Sequence, residues 1–208
     1  GAFSESVVSR RICQHAGFAL RFGFMHRHPL ALLSSLYAAQ GLPFGFFTLA
    51  LPVLMREAGW SLTAIGLLQL LALPWLLKFL WAPWVDHHGA RRTWLLGLQG
   101  CSVLAALTLV WLDLDSASRD LLLAVLVFNL LAATQDIVTD GLAVRVLAAR
   151  ERGLANAIQV GAYRLGMILG GGGLLWLWAR TNGSTVFAVM AGLLALSTWP
   201  VWQMRELP

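Results

Sequence analysis

Apolar residues in this chain gather in long unbroken runs, with little of the spacing that marks a helix or strand half-exposed to water. Six runs match the roughly 20 helical residues that a bilayer core takes. They are residues 29–55, 62–85, 93–112, 121–144, 153–179 and 184–204. Helices are the expected form, because in hydrocarbon each backbone N–H and C=O must find its partner within the segment. A soluble helical bundle would need a polar stripe on every helix, yet 93–112 holds no charged residue at all. The expectation is an all-α membrane protein, a six-helix bundle over 29–204 flanked by a cytoplasmic segment 1–28 and a tail 205–208.

Composition strengthens this reading. Of 208 residues, 58% are hydrophobic and 12% charged, and the mean hydropathy is +0.71, so the chain's main partner is the lipid bilayer. The formal charge of +5 belongs to loops rather than to a nucleic-acid surface, since no basic patch interleaved with aromatics lies outside the apolar runs. Placing the N-terminus inside puts Arg10, Arg11, Arg21, Arg27, Arg91, Arg92, Arg145, Arg150, Arg152 and Arg205 on the cytoplasmic side. Only Arg56, Arg119 and Arg180 then face out, so both termini are expected in the cytoplasm. Trp81, Trp84, Trp94, Trp199 and Trp202 would mark the inner interface, and Trp60, Trp111, Trp176 and Trp178 the outer one. Residues 1–28 read either as a short interfacial helix or as sequence upstream of a natural start at Met25.

Cofactor and enzyme chemistry have little footing. Cys13 and Cys101 are the only cysteines, and the five histidines, two of them the adjacent His87 and His88, belong to no ligand cluster, so neither metal nor cofactor is expected. HExxH and GxSxG are absent, and no carboxylates pair across separate runs.

Charge inside the runs is confined to Lys78, Asp136, Asp140 and Arg164. Each costs about 2.5–3.5 kcal/mol at a helix centre on insertion scales, so it needs a partner or a task. At 1.5 Å per residue, Lys78 and Asp136 lie about 24 and 22 Å below the outer edge, at matching depths that allow a pair. Asp140, one turn below Asp136, is expected near the inner interface, paired with Arg145 or the basic loop. Ion pairing alone would account for these three; proton coupling is the other reading. Arg164 lies about 16 Å from the inner edge, near the midplane. Its guanidinium, beside Tyr163, suits an anionic substrate group, with Gln40 and Tyr37 as further candidate substrate-binding residues. The stretch Gln40-Gly41-Leu42-Pro43-Phe44-Gly45 either lines a cavity or forms a kink packed on its neighbours. Gly166-x-x-x-Gly170 and the run Gly170–Gly173 favour close helix packing.

Two sets of motifs carry a family resemblance. Asp86, Gly89, Arg91 and Arg92 between the second and third runs resemble the signature loop of the major facilitator superfamily, with Ala82 where its first glycine is usual. Arg152-Gly153 is similar to the basic-glycine pair of the family's second inner loop. Gly41-Leu42-Pro43, 77–83 (LKFLWAP), 134–140 (TQDIVTD) and 161–167 (GAYRLGM) resemble the AmpG-type muropeptide permeases and the RhtX/FptX-type siderophore permeases. The resemblance implies two inverted three-helix repeats forming the N-terminal half of a twelve-helix secondary transporter of the inner membrane. It also implies a small organic solute and a proton as cargo, and a latch at the inner gate made by Asp86, Gly89, Arg91, Arg92 and Arg152. The other half would be a missing C-terminal segment or a second copy of the chain.

Overall fold

A computed structural model describes residues 29–111, 119–147 and 152–204, with the side chains of Pro29, Arg119 and Arg152 excepted. The segment 1–28 and the tail 205–208 lie outside the described residues. All the elements described are helical. Five stretches are long and apolar enough to cross a membrane: Leu30–Glu57, Leu62–Leu80, Asp120–Val146, Gly153–Trp178 and Gly183–Gln203. Arg91–Leu109, 19 residues opening on two arginines, is not among those five and lies where the span 93–112 is expected. We number the spans α1 (Pro29–Gly45, Phe46–Ala50, Leu51–Glu57), α2 (Leu62–Leu67 through Ala82–His87), α3 (Arg91–Leu109), α4 (Arg119–Val146), α5 (Arg152–Ile168, Leu169–Gly173, Leu174–Trp178) and α6 (Gly183–Gln203).

Local chemistry sets where these helices start and bend. Ser61 caps α2 by accepting from the Ala64 amide, and Asn182 caps α6 by accepting from the Thr185 amide. The uniform second helix expected from the sequence is instead interrupted by tighter turns at Leu68–Ala72 and Lys78–Leu80. Pro74 and Pro83 explain this, since each lacks the N–H of a regular α turn and the preceding residues tighten to compensate. In α1, Pro43 is accommodated inside Pro29–Gly45, and the helix widens only afterwards, at the π turn Phe46–Ala50.

Packing follows a repeat. The principal contacts are α1 with α5, α2 with α4, α1 with α6, α3 with α4, α1 with α4, and α3 with α6. Exchanging the first three helices for the last three maps this set onto itself. That is what two inverted three-helix units packed together produce.

The tightest seam joins α1 and α5. A Cβ on Gly41 would sit 2.2 Å from the Tyr163 carbonyl oxygen, and one on Gly45 2.3 Å from that of Met167. In the other direction, Gly166 and Gly170 meet the carbonyl oxygens of Ala38 and Leu42 at 2.2 and 1.9 Å. The two helix backbones touch through four glycines, and the small residues are there to let them. A second π turn, Leu169–Gly173, contacts the one in α1. The 40–45 stretch is thus a packed helix face, and the packing reading holds for Gly166, Gly170 and Gly171 but not for Gly172 and Gly173, which meet nothing on α1.

Beyond the seam, an aromatic core of Phe46, Phe47, Phe128 and Phe187 fills one end of the bundle. Leu36, Leu95, Val138 and Val201 fill the other. The outer surface is apolar: Leu76 is 74% exposed, Leu196 71% and Trp111 88%. Water does not tolerate so extensive a patch, and the bundle is a membrane-integrated one.

Candidate functional site

Polar groups that hydrocarbon would reject gather where α1, α2, α4 and α5 meet. Lys78 Nζ lies 2.5 Å from Asp136 Oδ2, as the matched depths anticipate. Asp136 is nearly enclosed, with its side chain 10% exposed, whereas Lys78 remains 34% exposed. The tight turn Lys78–Leu80 presents the ammonium there, and it also stands 5.7 Å from the Trp75 ring centroid. Trp75 Nε1 donates to Asn129 Oδ1 and Trp81 Nε1 to Thr134 Oγ1, both at 3.2 Å, so indole donors bracket the pair along α2 and α4. Each bond satisfies a polar atom that would be costly alone in lipid.

Asp140 does not pair with Arg145. Its Oδ1 accepts from Tyr37 Oη at 2.7 Å and from Gln159 Nε2 at 3.1 Å, joining α1, α4 and α5. Arg145, on the same helix, is exposed instead. Neutral donors from the two packed helices reach this carboxylate, whereas Arg145, five residues further along, stands about 140° round the helix axis. Gln40 Nε2 donates to Thr139 Oγ1 at 3.1 Å, and Thr139 Oγ1 in turn donates a hydrogen bond to the Gln135 carbonyl. Tyr37 and Gln40 are each 2% exposed, so both are interior members of the network.

The open side of the site belongs to α2 and α5. Phe44, Trp75 and Tyr163 form an aromatic group with centroids 5.7 to 6.3 Å apart, contributed by α1, α2 and α5. Next to Tyr163, Arg164 is exposed and engages no carboxylate among the described residues. No group of His, Cys, Asp and Glu among the described residues is placed to hold a metal.

At one end of the bundle the loop residues meet. Arg91 Nη2 reaches Asp86 Oδ1 at 3.1 Å, and its Nη1 donates to the Val138 carbonyl at 3.2 Å. Gly141 makes this possible, since a Cβ there would lie 2.1 Å from Arg91 Nη1. Gly89 has φ +79° and closes the turn after α2, a conformation that glycine adopts without steric cost. Arg92 Nη2 donates to the Trp202 carbonyl at 3.0 Å, at the C-terminus of α6. Asp86, Gly89, Arg91 and Arg92 therefore tie α2, α3, α4 and α6 together. The Arg152 side chain lies outside the described residues.

Sequence reading missed Gln159, Thr139, Trp75 and Asn129. Gln159 left a readable signal: it is one turn before Tyr163 in a mostly apolar helix. Trp75 lies inside an apolar run and is assigned to neither interface, and nothing in the sequence says that its indole reaches Asn129.

A lipid-embedded bundle of two repeated triplets, with one ion pair between its helices and another at one end, has the architecture of a membrane transport unit. Residues 33–208 match the Major Facilitator Superfamily, and the chain belongs to that family. Among its curated relatives, the anhydromuropeptide permease of Escherichia coli K12 is 36% identical over 172 residues, covering 79% of this chain and 35% of that protein. A putative AmpG 3 transporter of Rickettsia typhi is 28% identical over 171 residues, covering 74% of this chain and 40% of that protein. The chain thus spans well under half the length of these relatives.

Proposed function

We propose that this six-helix unit forms one half of a secondary transporter that carries a bulky organic anion across the bacterial inner membrane, driven by the proton gradient. The observation that carries the reading is Arg164, an exposed cation far inside an apolar helix and next in sequence to Tyr163, which packs on Trp75. Such a cation is costly in lipid and suits a carboxylate or phosphate on a solute. The name of the Escherichia coli relative makes a muropeptide the first solute to test, and the sequence resemblance to siderophore permeases makes a siderophore the second. Asp136, Asp140 and Lys78 are the groups a coupled proton would engage. The latch at Asp86 and Arg91 would close the cytoplasmic gate, with both termini on that side.

The exposed faces of α2 and α5 are where a second six-helix unit would complete the cavity. That unit is either encoded in the same reading frame or supplied by another copy. The test is uptake of labelled muropeptide and siderophore into proteoliposomes made with the full reading frame, with a proton gradient imposed or collapsed. Gradient-dependent uptake of either solute supports the reading, and uptake of neither overturns it. A second reading, that this chain alone transports nothing, is favoured by its covering 35% of its relative. It predicts no uptake by the 208-residue chain and uptake once a second six-helix half is supplied.

A further inference from the structure

The geometry points to Asp140 as the carboxyl that takes up the driving proton, with Tyr37 and Gln159 as the residues that position it. This rests on the proton-driven reading above and says which of the two carboxylates, the buried Asp136 or the partly buried Asp140, does the coupling.

The two acids sit one turn apart on α4 in opposite circumstances. Asp136 has Lys78 Nζ at 2.5 Å, so its charge is already neutralised. Asp140 has no cation within 4.0 Å among the described residues. Its two bonds come from a phenol and an amide, neither charged, and both converge on Oδ1. Oδ2 has no donor among the described residues. A proton at Asp140 neutralises a partly buried charge that has no cation partner among the described residues, whereas a proton at Asp136 must also break an ion pair.

The surrounding charges fit this division. On α1, Tyr37 faces Asp140 directly. Along α4, Asp136 lies one turn away, and Arg145 is exposed. Lys78 of α2 is committed to Asp136. From α3, Arg91 packs against Gly141, but its donors go to Asp86 and the Val138 carbonyl. On α5, Gln159 faces Asp140, while Tyr163 packs on Phe44 and Trp75 and Arg164 is exposed. The Arg152 side chain and residues 148–151 lie outside the described residues.

The step is a simple addition: a proton binds Oδ2 of the carboxylate and gives the neutral acid, with no other bond made or broken. Both hydrogen bonds on Oδ1 then lose the assistance of a charged acceptor and weaken. Gln159 is the α5 donor to this carboxylate, so protonation loosens α5 from α4 near the latch. Release of the proton restores the tie. A rocking transporter needs such a switch: a local charge change that biases one helix contact between two arrangements.

The experiment uses the chain in lipid nanodiscs, with acid-induced infrared difference spectra reporting protonated carboxyl groups. Spin labels at Val144→Cys and Leu154→Cys, both exposed sites on α4 and α5, report the distance between the helices after Cys13→Ser and Cys101→Ser. The expected result is a protonated-carboxyl band and a longer label distance on acidification, both lost in Asp140→Asn and both kept in Asp136→Asn. Tyr37→Phe and Gln159→Leu should keep the band but displace the midpoint of its pH profile. If Asp136→Asn fails to fold, Lys78→Gln/Asp136→Asn replaces it, because it leaves no unpaired cation. Persistence of band and distance change in Asp140→Asn, or their loss in the Asp136 variants, overturns the assignment. Proton-independent uptake by the unmodified reading frame, measured separately, overturns the transport reading instead and leaves the Asp140 titration standing.

Discussion

The seam between α1 and α5 allows a sharp test of how the bundle is held. A Cβ added at Gly170 would lie 1.9 Å from the Leu42 carbonyl oxygen, 2.8 Å from its carbon and 3.0 Å from the Phe46 amide nitrogen. All three are backbone atoms, so no side chain can swing away. Restoring an ordinary contact near 3.4 Å requires the helices to part locally by about 1.5 Å, which opens their apolar seam as well. Overpacking in a close-packed interior costs about 1–3 kcal/mol, and a rigid backbone contact places Gly170→Ala at the upper end. Gly172, two residues on, has nothing within 4 Å of the point where a Cβ would stand. Gly172→Ala should therefore be neutral or stabilising by up to about 1 kcal/mol, from helix propensity alone. Unfolding of the purified chain in mixed micelles, followed by circular dichroism, compares the two directly. Equal midpoints for the two variants would refute the picture of a glycine-mediated backbone seam.

The other predictions concern the charges. Asp136→Ala should destabilise the bundle by roughly 1–3 kcal/mol, discounted from the cost of orphaning a fully buried charge because Lys78 is partly exposed. Lys78→Met/Asp136→Leu should recover most of that loss in the same unfolding assay, and a double variant as unstable as Asp136→Ala alone would contradict the pairing. Gly141→Ala displaces the Arg91 guanidinium and should cost about 1 kcal/mol. In a double-mutant cycle it should show little further loss once Arg91→Ala is present, whereas strict additivity would deny the contact. Arg164→Ala should leave the unfolding midpoint within about 0.5 kcal/mol of the parent, since the side chain holds nothing together among the described residues.

How much of this is legible in the sequence differs from feature to feature. The spans are, because hydrocarbon forces helices and a run's length sets its reach. The Lys78–Asp136 pair is too, since a rise of about 1.5 Å converts positions into depths and two opposite charges at one depth need each other. The partners of Asp140 are not. Depth places it near Arg145, but rotation about the helix axis decides what a side chain meets, and that depends on how α1 and α5 dock. Tyr37 and Gln40 illustrate the same gap: polar groups in an apolar run read as cavity-lining, yet docking turns both into the interior of the network. The breaks in α2 follow from Pro74 and Pro83, a signal that hydropathy alone passes over because proline interrupts the backbone bonds without interrupting the apolar run.

Arg164 is the residue on which the transport reading turns, and ligand binding tests it most directly. Binding of a labelled muropeptide to the full reading frame in nanodiscs should be measured for the parent, for Arg164→Ala, and for Arg180→Ala as a control on a surface arginine stacked over Trp176. Loss of one charge-assisted contact, about 1.5–3 kcal/mol, corresponds to a roughly tenfold to hundredfold weaker affinity. That loss is expected in Arg164→Ala alone. Undiminished binding in Arg164→Ala, with the protein folded, would contradict the assignment of α5 as a wall of the solute pathway.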